Sequence, residues 1–293
     1  MTHIMLHVGV HKTATTHMQA SLRLSRARLN AAGVSYWDPK TLRAGGSDVA
    51  DHMRLAEGRF ASGVQQMLDG HDRLLISEEN MLRLPCKMGE GPSPVLYERG
   101  HQLIAQMGQG APEQQVDVAI SLRDYAGYFR SLYTQTLMGG YFPSFERFIA
   151  RSSYGVCTWV DLVDRIHALP NVRRIMVWRY EDYGVLAQRI FAGLIGQDLG
   201  IIPLVPERSH PGLSEQAVAA LRDHQARDPG HNRRLHKIPR RPIAQAARDA
   251  FPTGAQYPKF DPWQAADLEL SAQRYAADMA EIAAMPKVHL LKA

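Results

Sequence analysis

The segment Leu6-His7-Val8-Gly9-Val10-His11-Lys12-Thr13-Ala14-Thr15-Thr16-His17-Met18-Gln19 gathers much of this chain's chemistry near its start. A short apolar run stops at a tight turn carrying one lysine and three threonines, and a helical pattern begins in the same place. The N-terminus of a helix offers unpaired N–H groups and the positive end of its dipole, which makes such a turn a ready anion site. Lys12 adds a mobile full charge, and Thr13, Thr15 and Thr16 add hydroxyl donors. One threonine would be explained as a helix cap. A lysine with three threonines calls for a phosphate-type ligand. His3, His7 and His11 recur every four residues, but on a strand that spacing spans about 13 Å, so they share no metal ion. His11, beside Lys12, is within reach of a ligand held there.

A Walker A loop requires G-x-x-x-x-G-K-[ST]. Here Gly9 lies three residues before Lys12 and no glycine directly precedes the lysine, so the loop is too short to wrap a triphosphate. The stretch resembles instead the 5′-phosphosulfate loop of sulfotransferases that use 3′-phosphoadenosine 5′-phosphosulfate (PAPS), especially the bacterial form H-x-G-x-H-K-T-G-T-T. Ala14 departs from that pattern by standing where it has glycine, so the turn must avoid positive φ or accept strain. The resemblance implies that His11, Lys12, Thr13, Ala14, Thr15 and Thr16 hold the phosphosulfate. It also implies that Lys12 meets the charge developing on the bridging oxygen.

Sulfotransferases hold the 3′-phosphate with an arginine at a strand end and a serine eight residues later, and Arg123 and Ser131 have that spacing. Arg123 would supply a bidentate fork and Ser131 a neutral donor. The stretch Ser77-Glu78-Glu79-Asn80 resembles the S-x-E-N strand end of bacterial and carbohydrate sulfotransferases, which places Glu79 as the general base. Glu78 comes second, with His52 and His11 in reserve. Trp178-Arg179-Tyr180-Glu181-Asp182 matches an aromatic–Glu–Asp strand end, where Glu181 is expected to hold neighbouring loops. The resemblance covers about the first two thirds of the chain and implies PAPS as donor, adenosine 3′,5′-bisphosphate (PAP) as product and no metal.

These residues need a scaffold that brings strand ends together. Strand patterns at 3–9, 33–37, 73–77, 116–122 and 174–178 alternate with helical ones. That alternation predicts right-handed crossovers and a parallel sheet of about five strands covered on both faces. The expectation is one α/β domain over 1–293, a P-loop-type three-layer sandwich over 1–197 with a helical extension over 198–293. The run 231–241 has five Lys/Arg and no acid, and reads as a solvated loop or a lid.

Composition bounds the rest. The 293 residues carry 34 basic and 29 acidic side chains, a net +5 that suits an anionic ligand but is too small to imply nucleic acid. Apolar runs fall short of the ~20 residues of a membrane span, and the first residues lack the basic region of a secretory leader. Cys86 and Cys157 have no metal-ligand spacing and read as reduced thiols of a cytoplasmic protein. The acceptor would be a glycan, a lipid headgroup or a small metabolite, and the oligomeric state is open. Two rival readings stay in play: a P-loop kinase using ATP and magnesium, and a non-catalytic nucleotide-binding protein of the same fold.

Overall fold

The computed structural model describes residues 3–83, 85, 95–110, 113–206, 212–228 and 237–293. Six strands form one parallel sheet: β1 (His3–His7), β2 (Val34–Trp37), β3 (Arg73–Ser77), β4 (Val116–Leu122), β5 (Val172–Arg179) and β6 (Val288–Leu291), in the order β2-β3-β1-β4-β5-β6. Among the described residues, helices longer than eight residues are α1 (Thr15–Leu24), α2 (Phe60–Leu68), α3 (Gln102–Gly110), α4 (Tyr125–Met138), α5 (Trp159–His167), α6 (Tyr183–Ile195), α7 (Glu215–Arg227), α8 (Lys237–Ala250) and α9 (Ala265–Ala283).

Alternation along each strand splits the apolar side chains between two faces. Ile4, Leu6, Leu74, Ile76, Val118, Ile120 and Val177 face one core, closed by residues of α2, α4, α5 and α9. Met5, Leu75, Ala119, Met176 and Trp178 face the other, closed by α1 and α6. The chain winds to one side of β1 through β2 and β3, then crosses to β4 on its other side. In an open α/β sheet the crevice at such a reversal is where ligands bind. It lies beyond the carboxyl ends of β1 and β4, the strands leading into Lys12 and Arg123.

The sequence predicts no strand after residue 197, yet β6 pairs in parallel with β5 from Ile175↔Val288 to Trp178↔Leu291. Four residues with a histidine among them are too few to show an alternation. Between β2 and β3 the chain does not run as one helix: Arg54 (φ 50) and Gly58 (φ 64) turn left-handed and separate Val49–His52 from Phe60–Leu68. Of the basic run, 231–236 lies outside the described residues, and Lys237–Arg241 opens α8. No helix among the described residues is long and apolar enough to cross a membrane.

Helices of the last third pack against the core. Tyr275, Met279 and Ile282 of α9 pack in the larger apolar cluster. Polar side chains of α9 brace the β4–α4 junction: Ser271 Oγ donates to Asp124 Oδ2 at 2.7 Å and accepts from Ala126 N–H at 2.8 Å. Tyr275 Oη donates to the Leu122 carbonyl at 3.0 Å. Buried Asp278 accepts from Trp159 N–H at 2.6 Å and from the Tyr125 hydroxyl. Asp278→Ala leaves both donors without their carboxylate and should lower stability by roughly 2–4 kcal/mol in urea unfolding.

Candidate functional site

The loop after β1 has an unusual backbone. Val8 N–H still donates to Ala119 O at 3.0 Å, holding the chain against β4. Gly9 follows at φ 37, where a β-carbon would lie 2.4 Å from Thr15 Cγ2. Lys12 (φ 68) and Ala14 (φ 61) are both left-handed. Alternating hands turn successive N–H groups toward one point, the geometry of an anion nest. Ala14 thus accepts the strain that the sequence left open, at a cost of about 1–2 kcal/mol relative to glycine. α1 starts at Thr15 without a side-chain cap, and its first ladder bond is Met18 N–H to Ala14 O at 3.0 Å. Thr13 N–H turns back toward Val10 O, while the N–H groups of Lys12, Ala14, Thr15 and Thr16 find no acceptor among the described residues.

The hydroxyls of this loop divide. Thr13 is buried and donates to Val10 O at 2.5 Å, which closes the turn and removes that proton from any ligand. Thr15 is buried with its methyl against Gly9, while Thr16 is exposed.

Two cations converge on the nest. Lys12 is half-buried and has no carboxylate partner among the described residues. Burial, then the nearby Arg123 guanidinium, lowers its pKa below that of an ordinary lysine. Arg123 Nη1 donates to the Lys12 carbonyl at 2.7 Å, and its Cζ lies 4.4 Å from the centre of the Tyr180 ring. Its Nε and Nη2 edge lies over α4, where a β-carbon on Gly127 would stand 3.3 Å from Nε and 3.5 Å from Nη2. Ser131 is one helical turn beyond Gly127 on the same face of α4. Asp124 and Glu181 attract the Arg123 guanidinium through space, but neither forms an ion pair with it among the described residues. Asp124 Oδ1 caps α4 through Gly127 N–H at 3.0 Å, and its Oδ2 takes the Ser271 hydroxyl. Glu181 accepts from Asp124 N–H at 3.0 Å and lies 3.2 Å from Tyr275 Oη, which shares its proton between Leu122 O and this carboxylate, tying β5 to β4 and α9 as the resemblance led us to expect.

The end of β3 supplies the carboxylates. Glu79 is half-buried and accepts from Gln19 Nε2 of α1 at 3.0 Å, with no cationic partner among the described residues. Glu78 is buried with both oxygens 2.7 Å from Arg43 Nη2, and it caps Asn80 N–H at 3.0 Å. His52 Nε2 is 2.8 Å from Leu42 O and its ring packs on Trp37, so it is engaged within its own loop. His11 stacks on Tyr97, with Nδ1 3.0 Å from Tyr97 Oη and Nε2 3.3 Å from Asn80 Oδ1. Burial holds His11 below the usual imidazole range. Of the four proposed bases, Glu79 is the one whose acceptor capacity is least used. The sequence missed Gln19, Tyr97, Gly127 and Tyr180 as parts of this site. Only Gly127, a glycine inside a helical pattern, carried a local signal.

The N–H groups of this turn and the Lys12 ammonium are groups that could hold a tetrahedral anion, the Arg123 guanidinium stands beside them, and the Glu79 carboxylate lies at the next strand end. No family model matches the chain, and no curated protein matches it. Among solved structures, a sulfotransferase from Alicyclobacillus acidocaldarius aligns with 84% of this chain and 94% of its own, at 14% identity and a TM-score of 0.43. That likeness is too low to carry an assignment of activity.

Two outcomes follow from the geometry. Gly127→Val should push Arg123 off the Lys12 carbonyl and weaken binding of inorganic pyrophosphate about tenfold by calorimetry, a loss of about 1.4 kcal/mol, with the fold intact by circular dichroism. Beneath the loop, buried His7 receives or gives a hydrogen bond at Ser77 Oγ, 2.7 Å away, and burial pushes its pKa from 6.5 down to about 4. Between those values the unfolded chain binds the extra proton, so stability falls as pH drops through that window. His7→Asn should flatten this slope in urea unfolding, by an amount on the order of 3 kcal/mol across the window.

Proposed function

We propose that this protein is a sulfotransferase that moves the sulfuryl group of PAPS to a hydroxyl acceptor. The observation that carries the proposal is the pair Lys12 and Arg123, neighbouring cations with no carboxylate ion-paired to either among the described residues, at a left-handed turn that opens α1. PAPS presents a phosphosulfate and a 3′-phosphate, one for the nest and Lys12, the other for Arg123 and Ser131. Sulfuryl transfer runs through a loose in-line transition state, by analogy with phosphoryl transfer, and negative charge gathers on the leaving phosphate. Lys12 and the amides of residues 12 and 14–16 stabilise that charge without reorganising. The acceptor oxygen bonds to sulfur as the bridging S–O bond breaks, Glu79 takes the hydroxyl proton, and PAP departs. The engagement of both Asp124 oxygens favours this reading over a kinase, which would need a carboxylate at that strand end for magnesium.

Calorimetry with PAP and, separately, ADP plus magnesium decides between them. PAP should bind, and a preference for ADP would overturn the proposal. Lys12→Ala should then reduce transfer by about 10²–10³, while Arg123→Ala should chiefly weaken PAP. Because the Lys12 pKa is lowered, PAP affinity should decline at a less alkaline pH than a free lysine would give.

A further inference from the structure

Tyr97 has no part in the chemistry above, yet its phenol oxygen is the most heavily engaged atom next to the nest. His11 N–H donates to it at 2.9 Å, His11 Nδ1 lies 3.0 Å away, and Tyr128 Oη of α4 lies 2.9 Å away. Tyr97 is fully buried and holds a left-handed backbone at φ 51. Its carbonyl accepts from Arg165 Nη1 at 2.8 Å and its N–H donates to Pro85 O at 3.0 Å. Arg165 also donates to Leu96 O at 2.6 Å and pairs with Asp161 at 2.9 Å. The rest of the chain therefore fixes where the phenol stands.

The contacts of this cluster fit one order of protons. Asn80 Oδ1 is an acceptor facing His11 Nε2, so Nε2 carries the imidazole proton. His11 Nδ1 is then an acceptor and takes the Tyr97 hydroxyl proton, and the Tyr97 oxygen accepts from His11 N–H and from the Tyr128 hydroxyl. We infer that Tyr97 is a positioning residue: it turns the His11 amide away from the nest, locks His11 as its Nε2–H tautomer, and sets the 10–16 loop against the helix that carries Ser131. The His11 lone pair is then unavailable for proton abstraction, which leaves Glu79 as base. The effect on ligand rests on the sulfotransferase reading, whereas the tautomer does not.

Nitrogen-15 spectra of the histidine rings test this, the His11 signals being assigned by their loss in His11→Asn. The wild-type protein should show a single Nε2–H tautomer at His11, and an Nδ1–H or mixed tautomer overturns the inference even if no variant folds. Tyr97→Phe keeps the ring and removes the oxygen. It should give mixed His11 tautomers and weaken PAP at least tenfold, and unchanged His11 signals overturn the assignment. Tyr128→Phe removes one donor without touching His11 and should keep the Nε2–H form; losing it would overturn the proton order above. Absence of PAP binding in the wild-type protein, with the Nε2–H form present, would sink the sulfotransferase proposal and leave the tautomer assignment standing.

Discussion

The hydrogen bond from Arg123 Nη1 to the Lys12 carbonyl joins the end of β4 to the loop after β1. It crosses the point where the chain changes direction along the sheet, and it holds two positive groups side by side. Like charges in a partly buried crevice raise each other's free energy, and burial adds to that cost. The surrounding structure offsets part of it with the Tyr180 ring beneath the guanidinium and with the charges of Glu181 and Asp124. A doubly anionic ligand would remove the repulsion, so relieving it would add to the binding free energy.

That arrangement is held from behind by residues far along the chain. Ser271, Tyr275 and Asp278 lie on one helix and reach Asp124, Ala126, Leu122, Tyr125 and Trp159, all at or beside the strand end that presents Arg123. The last helix therefore acts on the site through backbone placement rather than by contact with a ligand. Its braces are charged or hydroxyl groups with little exposure, which tie position more tightly than apolar packing alone because each has a defined partner and direction.

The parts legible in the sequence were those built from neighbours. A strand, a turn with Lys12, and a helix starting at Thr15 all fall within twenty residues, and alternating patterns revealed the parallel sheet. Arg123 and Glu79 stood out because their spacing and neighbours resemble sulfotransferase motifs at strand ends. What escaped depended on contacts between distant segments: Tyr97 reaching His11, Gln19 reaching Glu79, and the last helix reaching β4. Those side chains sit in local patterns that any buried helix or turn would show. β6 escaped for a different reason, since four residues paired at a sheet edge leave too short a trace. The hand of Ala14 was undecided because alanine disfavours φ > 0 without forbidding it, and the fold around it made the choice.

The packing of Gly9 against Thr15 separates two threonines that look equivalent on paper. The methyl of Thr15 fills the hollow that the missing side chain of Gly9 leaves, while Thr16 turns outward. Serine in place of Thr15 would keep the hydroxyl and lose the wedge, whereas serine in place of Thr16 would keep what that position presents. The adjacent pair is therefore a keystone followed by a contact, and the two positions should tolerate change under different rules.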